Sequence, residues 1–86
     1  MNVEFSDISK EEFLNLDKEL QIFFKNHLRK LSEMPPRRHM KFGVPHHVED
    51  VTKQARLVYD VSDDTLFVIH CFASHKEYEK WFKSFK

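Results

Sequence analysis

Residues 55–72 read ARLVYDVSDDTLFVIHCF, and this stretch decides the expected fold. Two runs rich in β-branched and aromatic residues, 56–61 and 66–72, flank a short polar segment that contains Asp63 and Asp64. Such a pattern is typical of a β-hairpin. We therefore expect two antiparallel strands joined by a tight turn.

Side-chain alternation assigns the two faces of this hairpin, because successive residues of a strand point to opposite sides of the sheet. A two-residue turn at Asp63 and Asp64 leaves Arg56 on the less apolar face, whereas a one-residue bulge would exchange the assignments. With the tight turn, the core face comprises Leu57, Tyr59, Val61, Leu66, Val68, His70 and Phe72. The other face comprises Arg56, Val58, Asp60, Thr65, Phe67, Ile69 and Cys71.

The composition predicts one domain spanning residues 1–86. Hydrophobic residues make up 41% of the 86 residues and charged residues 33%, which suits a globular protein with a modest core. The formal net charge is zero, so the whole molecule gives no electrostatic argument for nucleic-acid binding. Residues 25–41 are nevertheless locally basic.

Features of secretion and membrane insertion are missing from the sequence. The first residues, MNVEFSDISKEE, have acids where a signal peptide needs a basic region and an apolar run. The longest apolar stretch, LFVIHCFA, is far shorter than the roughly 20 residues that span a bilayer. The single cysteine, Cys71, excludes an intramolecular disulfide and suits a reducing compartment. We expect a cytoplasmic protein without membrane contact.

The N-terminal residues predict a strand followed by a helix start. Val3 and Phe5 alternate with polar residues, which favours a short first strand. Ser9 and Glu12 are three residues apart, the spacing of a capping box that satisfies the free amides at a helix N-terminus. A helix is expected to begin there.

Apolar residues then recur every three or four positions between residues 13 and 31, which predicts an amphipathic helix on the sheet. Asn15 and Asp17 favour caps and turns, so one helix and a helical hairpin both remain open. Pro35 and Pro36 end the pattern.

A second strand is predicted from residue 47, with His47, Glu49 and Val51 on one face and Val48 and Asp50 on the other. The chain then passes into the hairpin.

The C-terminal tail predicts a helix that is capped at Ser74, because Glu77 follows at capping-box spacing. Tyr78, Trp81 and Phe82 lie at helical spacing and form an aromatic stripe. The stripe favours core packing, and the alternative is stacking on nucleic-acid bases.

Arg56 is a candidate for phosphate binding, because a planar guanidinium on a strand can hold a phosphate bidentately. The alternative is a salt bridge to Asp60 or Glu49.

Histidines supply the other candidate chemistry. His75 at a helix start is a candidate general base, and His39, His47 and His75 are predicted to converge over the Arg56 face, with scattered surface histidines as the alternative. His70 is expected to be a buried, hydrogen-bonded core residue. Because adjacent strand residues point to opposite faces, His70 and Cys71 are not expected to share a metal ion.

The RLVY strand, the acidic turn, the apolar strand DDTLFVIHCF and the ASHKEY tail resemble the RelE/ParE superfamily of bacterial toxins, including RelE-, YoeB- and YafQ-like members. The resemblance implies an α+β fold: a small twisted antiparallel sheet of about four strands, with an N-terminal helix or helical hairpin on one face and a C-terminal helix.

The resemblance also implies a type II toxin that cleaves mRNA on the ribosome without a metal or cofactor and is bound by a cognate antitoxin. A base activates the ribose 2′-hydroxyl and an acid protonates the leaving oxygen. The implied catalytic residues are Arg56, His75, His47 and His39. The implied substrate-binding residues are Lys41, Glu49, Lys76, Tyr78 and Phe82. A ParE-like gyrase inhibitor or a non-catalytic binding protein of this fold is the alternative.

Overall fold

The computed structural model describes residues 2–33 and 46–84. This part of the chain contains four strands in one sheet, in the spatial order β1-β4-β3-β2, and three helices. The elements are β1 (Asn2–Phe5), α1 (Asp7–Leu14), α2 (Lys18–Glu33), β2 (His47–Asp50), β3 (Arg56–Ser62), β4 (Thr65–Phe72) and α3 (His75–Lys83). The α+β fold expected from the sequence is confirmed. The predictions for Pro35, Pro36, His39 and Lys41 lie outside the described residues.

The β3–β4 hairpin has the two-residue turn that its sequence predicts. Ser62 pairs with Thr65, which leaves Asp63 and Asp64 as the loop. Asp63 has a φ of 53°, in the left-handed region that Asp tolerates better than most residues. The polar residues between the strands therefore serve the backbone geometry of the turn.

A β-bulge interrupts the pairing of β3 with β4. Val58 pairs with His70, but Tyr59 pairs with Val68, so Ile69 is the extra residue on β4. An extra residue reverses the alternation of every side chain beyond it.

Because of the bulge, three residues of β4 lie on the face of the sheet opposite to the one predicted. Cys71 pairs with Leu57 and joins the core beneath the N-terminal helices, whereas Phe72 pairs with Arg56 on the opposite face. His70 contacts Phe72 in a stacked arrangement, with ring centres 4.8 Å apart. The prediction is therefore confirmed as far as Val68 and wrong for His70, Cys71 and Phe72.

The two outer strands complete the sheet. β2 pairs antiparallel with β3, and its predicted alternation is confirmed, because Val48 is buried on the α3 side while Val51 packs on the other side. β1 pairs parallel with β4, from Asn2 opposite Thr65 to Phe5 opposite Val68. The sheet is consequently mixed, with one parallel pair added to an antiparallel meander.

The N-terminal helical region forms a hairpin of two helices. The carboxylate of Asp17 accepts a hydrogen bond from the Leu20 amide at 2.8 Å and so caps α2. The Gln21 side-chain amide donates to the carbonyl oxygens of Phe13 and Leu16, at 3.0 and 3.3 Å, and ties the connection together. Of the two alternatives left open by the sequence, the helical hairpin is therefore the correct one.

The start of α1 differs from the predicted capping box. Ser6 is the N-cap, and its hydroxyl accepts a hydrogen bond from the Ser9 amide at 3.1 Å. Ser9 is fully buried and donates from its hydroxyl to the Val68 carbonyl at 2.8 Å. The Glu12 carboxylate accepts from the Cys71 amide at 2.9 Å. Both predicted capping groups therefore fasten α1 to β4.

Each face of the sheet carries its own apolar cluster. The helix-hairpin core comprises Leu16, Phe24, Leu28, Ala55, Leu57, Tyr59, Leu66, Val68 and Cys71. The α3 cluster comprises Val48, Val58, Phe72 and Tyr78, with Ile69, Trp81 and Phe82 packed against it. The predicted cap of α3 is confirmed, since the Ser74 hydroxyl accepts from the Glu77 amide at 3.2 Å. None of the described helices has the length and apolar character needed to cross a membrane.

Ser9→Ala is expected to lower the free energy of unfolding by about 1 to 2 kcal/mol, because it removes a buried donor to the β4 backbone. Ser32→Ala is the matched control: the Ser32 hydroxyl donates to the Arg29 carbonyl at the surface of α2. Urea denaturation of both variants measures the difference. Equal losses would contradict a special role for Ser9 in attaching α1.

The thiol of Cys71 is expected to be inert in the folded protein. Burial, and secondly the carboxylate of Glu12, raise the pKa of Cys71 from 9.0 to about 12. Because the thiolate is the nucleophile, iodoacetamide should label Cys71 at pH 8 only after unfolding in guanidinium. The folded state should also lose stability as pH rises from about 9 towards 12, since the unfolded thiol ionises first. Equal labelling rates in both states would refute the assignment.

Candidate functional site

The guanidinium of Arg56 is held in place at the beginning of β3. Its Nε lies 3.0 Å from the Asp50 Oδ1, and its side chain is only 11% exposed. Nη1 donates to the carbonyl oxygens of Thr52 and Ala55, at 2.9 and 3.0 Å. A buried cation needs such partners to offset its lost hydration. The orientation of the charge is therefore set by the protein itself.

Arg56 forms a salt bridge, as the alternative prediction stated, but its partner is Asp50 and not Asp60 or Glu49. Asp50 pairs directly with Arg56 in the β2–β3 ladder, which explains the choice. Asp60 instead contacts His46, and Glu49 contacts His27.

Tyr78 lies against the guanidinium of Arg56. The Arg56 Cζ is 6.0 Å from the centre of the Tyr78 ring, within the range of a cation–π contact. Only 5% of Tyr78 is exposed. Burial raises the pKa of the phenol above its ordinary value, Arg56 acts in the opposite direction, and Asp50 raises it further. The hydroxyl consequently stays protonated at neutral pH.

His75 contacts the same tyrosine from the start of α3. The ring centres of His75 and Tyr78 are 6.0 Å apart, and the His75 amide donates to the Gln54 side-chain oxygen at 3.4 Å. The Nε2 of His75 lies 3.0 Å from the Glu79 Oε1. Its Nδ1 is buried and has no hydrogen-bond partner within the described residues. In the neutral tautomer that donates to Glu79, Nδ1 carries an unused lone pair.

Arg56, Tyr78 and His75 thus form the centre of the candidate site. The structure brings the two predicted groups, Arg56 and His75, to one aromatic ring on one face of the sheet. A fixed cation and an imidazole that share one aromatic neighbour suit chemistry at a phosphate, because they supply charge stabilisation and proton transfer.

The structure places His47 and Glu49 on the other face. His47 pairs with Tyr59 and stacks on it, with ring centres 5.2 Å apart, and Tyr59 belongs to the helix-hairpin core. Glu49 lies 3.3 Å from the Nδ1 of His27 in α2. The predicted convergence of His47 with His75 is therefore not formed, because the pleat of β2 directs His47 away from Arg56.

His46 was missed by sequence reasoning and lies on the α3 side of the sheet. Its Nδ1 is 2.8 Å from the Asp60 carboxylate, and its ring centre is 6.0 Å from that of Trp81. His70 reaches the same tryptophan, at 5.3 Å between ring centres, while its Nδ1 lies 3.2 Å from Glu12. The side of the sheet on which His46 lies follows from the register of β2 on β3, and that of His70 follows from the bulge. The local sequence records neither feature.

The aromatic stripe of α3 packs in the way that its spacing favours. Phe82 is half-buried and stacks on Tyr78, with ring centres 5.8 Å apart. Tyr78 is too buried to offer a face to a nucleic-acid base. Lys76 lies exposed on the first turn of α3. Among residues 2–33 and 46–84, no group of three or more His, Cys, Asp or Glu side chains is arranged to hold a metal ion.

Comparison with solved structures identifies the fold. A YoeB/ParE toxin from Agrobacterium tumefaciens superimposes with a TM-score of 0.71 at 20% identity, over 83% of this chain and 95% of that chain. The YoeB dimer from Staphylococcus aureus gives 0.67 at 18% identity, over 83% and 93%. A metal-bound toxin from Helicobacter pylori gives 0.67 at 20% identity, over 90% and 97%.

The chain has the fold of the YoeB/ParE toxins. This confirms the structural part of the resemblance that the RLVY strand suggested. No family model and no curated protein matches the sequence. The similarity to these toxins is therefore found in the three-dimensional fold and in local motifs. Sequence identity with them is only 18 to 20%.

The pKa of Tyr78 is expected to report the two charges beside it. The chain has two tyrosines, so a Tyr59→Phe background isolates the ultraviolet titration of Tyr78. Asp50→Asn should lower the pKa of Tyr78, because it removes a negative charge that raises it, and Arg56→Gln should raise that pKa. Asp64→Asn in the turn is the control and should leave it unchanged. Shifts of the same sign in Asp50→Asn and Arg56→Gln would contradict the arrangement.

Proposed function

We propose that this protein is the toxin of a type II toxin–antitoxin system and acts as an endonuclease on mRNA bound to the ribosome. The observation that carries the proposal is the Arg56 guanidinium, 11% exposed and oriented by Asp50 and two backbone carbonyls. It lies against the ring of Tyr78, which also contacts His75. The YoeB/ParE fold supports it. Such a protein works in the cytoplasm and is held inactive by a cognate antitoxin.

Arg56 supplies the electrostatic part of the mechanism. Attack on the scissile phosphodiester adds negative charge to the non-bridging oxygens of the phosphorus. A guanidinium whose direction is already set stabilises that charge without reorganising during the reaction. Asp50 is 58% exposed, so its carboxylate can turn to solvent as a phosphate approaches. The contacts of Nη1 with the backbone remain.

His75 supplies proton transfer. The 2′-hydroxyl gives its proton to the imidazole, its oxygen forms a bond to phosphorus, and the bond from phosphorus to the 5′-oxygen breaks. The imidazolium formed in this way then gives its proton to the leaving 5′-oxygen, which leaves a 2′,3′-cyclic phosphate and a free 5′-hydroxyl and returns His75 to its neutral form. Glu79 holds the Nε2 proton of the neutral ring, so the basic lone pair lies on Nδ1. Because Nδ1 is closed to solvent, RNA reaches it only when the first turn of α3 shifts.

Tyr78 acts in this proposal as a positioning residue. Its ring contacts both Arg56 and His75, and its hydroxyl remains protonated at neutral pH. Lys76 is the exposed cation next to His75 and binds the RNA backbone, together with Lys41 and with assistance from His39. Because the net charge is zero, binding of RNA depends on such local cations, including the basic residues 25–41, and its affinity should fall as salt concentration rises.

A non-catalytic toxin of the same fold, such as a ParE-like gyrase inhibitor, is the second candidate. The observations in its favour are that protein groups already bind the Arg56 guanidinium and that the Nδ1 of His75 is enclosed. It predicts growth arrest with DNA damage and intact mRNA.

Arg56→Gln and His75→Gln should each lower mRNA cleavage by about 10²-fold or more, the contribution typical of acid–base and charge-stabilising groups. Lys30→Gln and His27→Gln are matched controls on α2 and should retain cleavage. Primer extension on a reporter mRNA after induction measures both the amount and the position of cleavage. Circular dichroism confirms that each variant is folded.

The outcomes separate the two candidates. Cleavage that persists in Arg56→Gln and His75→Gln would refute the assigned roles. Growth arrest with intact mRNA in the unmodified protein would refute the ribonuclease itself and favour the gyrase-directed alternative.

A further inference from the structure

The turn between β2 and β3, residues 51–55, is held together by one side chain. The hydroxyl oxygen of Thr52 accepts hydrogen bonds from the backbone amides of Gln54 and Ala55, at 3.1 and 2.9 Å. A threonine hydroxyl has two acceptor positions, and these two amides use both. Threonine and serine stabilise turns in this way, because the hydroxyl replaces a backbone acceptor. The conformation of the turn therefore depends on an oxygen atom at position 52.

The backbone of the same turn binds the guanidinium of Arg56. The carbonyl oxygens of Thr52 and Ala55 accept hydrogen bonds from Nη1 of Arg56, at 2.9 and 3.0 Å. The Ala55 carbonyl also accepts from the Val51 amide at 3.0 Å, and Ala55 is 0% exposed. Hydrogen bonds within the turn thus fix the direction of both carbonyl groups. That direction in turn sets the orientation of Nη1.

The turn also contacts the first residue of α3. The side-chain oxygen of Gln54 accepts a hydrogen bond from the backbone amide of His75 at 3.4 Å. The first amides of a helix have no partner within the helix, so this contact satisfies one of them. The backbone amide of Gln54 is itself held by Thr52. One turn is therefore hydrogen-bonded to both Arg56 and His75.

We propose that Thr52 is a positioning residue of the candidate site. Its hydroxyl fixes the turn, the turn aligns the Arg56 guanidinium through two carbonyl oxygens, and Gln54 places the start of α3. The effect of Thr52 on catalysis rests on the proposed function, in which Arg56 stabilises charge and His75 transfers protons. The alignment itself is a property of the free protein and is measured there.

Asp50 does not replace the turn as the support of Arg56. Its carboxylate lies 3.0 Å from Nε but is 58% exposed, whereas the Arg56 side chain is 11% exposed. An ion pair with an exposed partner is weakened by water and salt. Without the two carbonyl contacts, the Nη1 end of the guanidinium would lose its fixed direction.

Four substitutions test the role of the hydroxyl. Thr52→Val removes the oxygen and keeps a β-branched side chain of similar size, whereas Thr52→Ser keeps the oxygen and removes the methyl group. Gln54→Ala removes the contact with His75 and leaves the backbone amide that binds Thr52. Thr65→Val is the matched control, since the chain has two threonines and Thr65 lies at the start of β4, beside the tight turn. Thermal unfolding verifies that each variant is folded.

Hydrogen exchange in ¹⁵N-labelled free protein follows two groups, the Nε–H of Arg56 and the backbone amide of His75. Loss of the Arg56 signal in Arg56→Gln assigns it among the four arginines of the chain. Thr52→Val should accelerate exchange of both groups by ~5-fold or more, the factor that corresponds to one typical hydrogen bond. Thr52→Ser and Thr65→Val should leave both unchanged. Gln54→Ala should accelerate exchange of the His75 amide alone.

Cleavage of ribosome-bound mRNA gives the corresponding catalytic measurement. Thr52→Val should lower the maximal rate by ~10-fold or more, because the guanidinium is present but misaligned. The concentration of ribosomes at half-maximal rate should change little, since Arg56 acts on charge that develops in the transition state. Thr52→Ser should restore the rate. Primer extension should show an unchanged cleavage position in all variants.

Three results would overturn the role of Thr52. One is unchanged exchange of the Arg56 Nε–H in Thr52→Val. Another is equal acceleration in Thr52→Ser and Thr52→Val, which would assign the effect to the methyl group. A third is equal acceleration of buried β4 amides such as that of Leu66, which would indicate general destabilisation. Absence of cleavage by the unmodified protein, with the expected exchange pattern, would instead refute the proposed function and support the alignment of Arg56 by Thr52.

Discussion

The extra residue in β4, Ile69, determines what each face of the sheet contains. Up to Val68 the strand directs Leu66 and Val68 beneath the helical hairpin. Beyond the bulge Cys71 takes that direction, and Phe72 turns to the other face beside Arg56. Phe72 then contacts Tyr78 and helps to hold α3 over the sheet, with ring centres 6.2 Å apart. A regular strand would bury Phe72 under the hairpin, and α3 would lose this contact.

The features predicted from sequence are those that a few neighbouring residues determine. The tight turn needs only its two central residues, and the α3 cap needs only Ser74 and Glu77. The bulge depends on how two strands meet, which no local pattern records. The wrong cap at Ser9 has the same origin: the hydroxyl fits either role, and the carbonyl of Val68 on a distant strand decides between them.

The same distinction between local and long-range features applies to the residues of the candidate site. Arg56 at the start of β3 and His75 at the start of α3 followed from strand parity and helix position. The choice between His46 and His47 required the register of β2 on β3, because a shift of one residue sends every side chain to the other face. Asp50 was missed as the partner of Arg56 for the same reason, since only the ladder places it directly opposite.

The burial of Arg56 connects the fold to the proposed chemistry. A guanidinium removed from water costs free energy unless its donors are satisfied. β2 supplies the carboxylate of Asp50, and the segment between β2 and β3 supplies two carbonyl oxygens. The carbonyls orient the cation without neutralising it, while the carboxylate neutralises it from a 58% exposed position. A phosphate can therefore replace Asp50 while the carbonyls keep the guanidinium aligned, which is the arrangement needed for charge stabilisation at a reacting phosphorus.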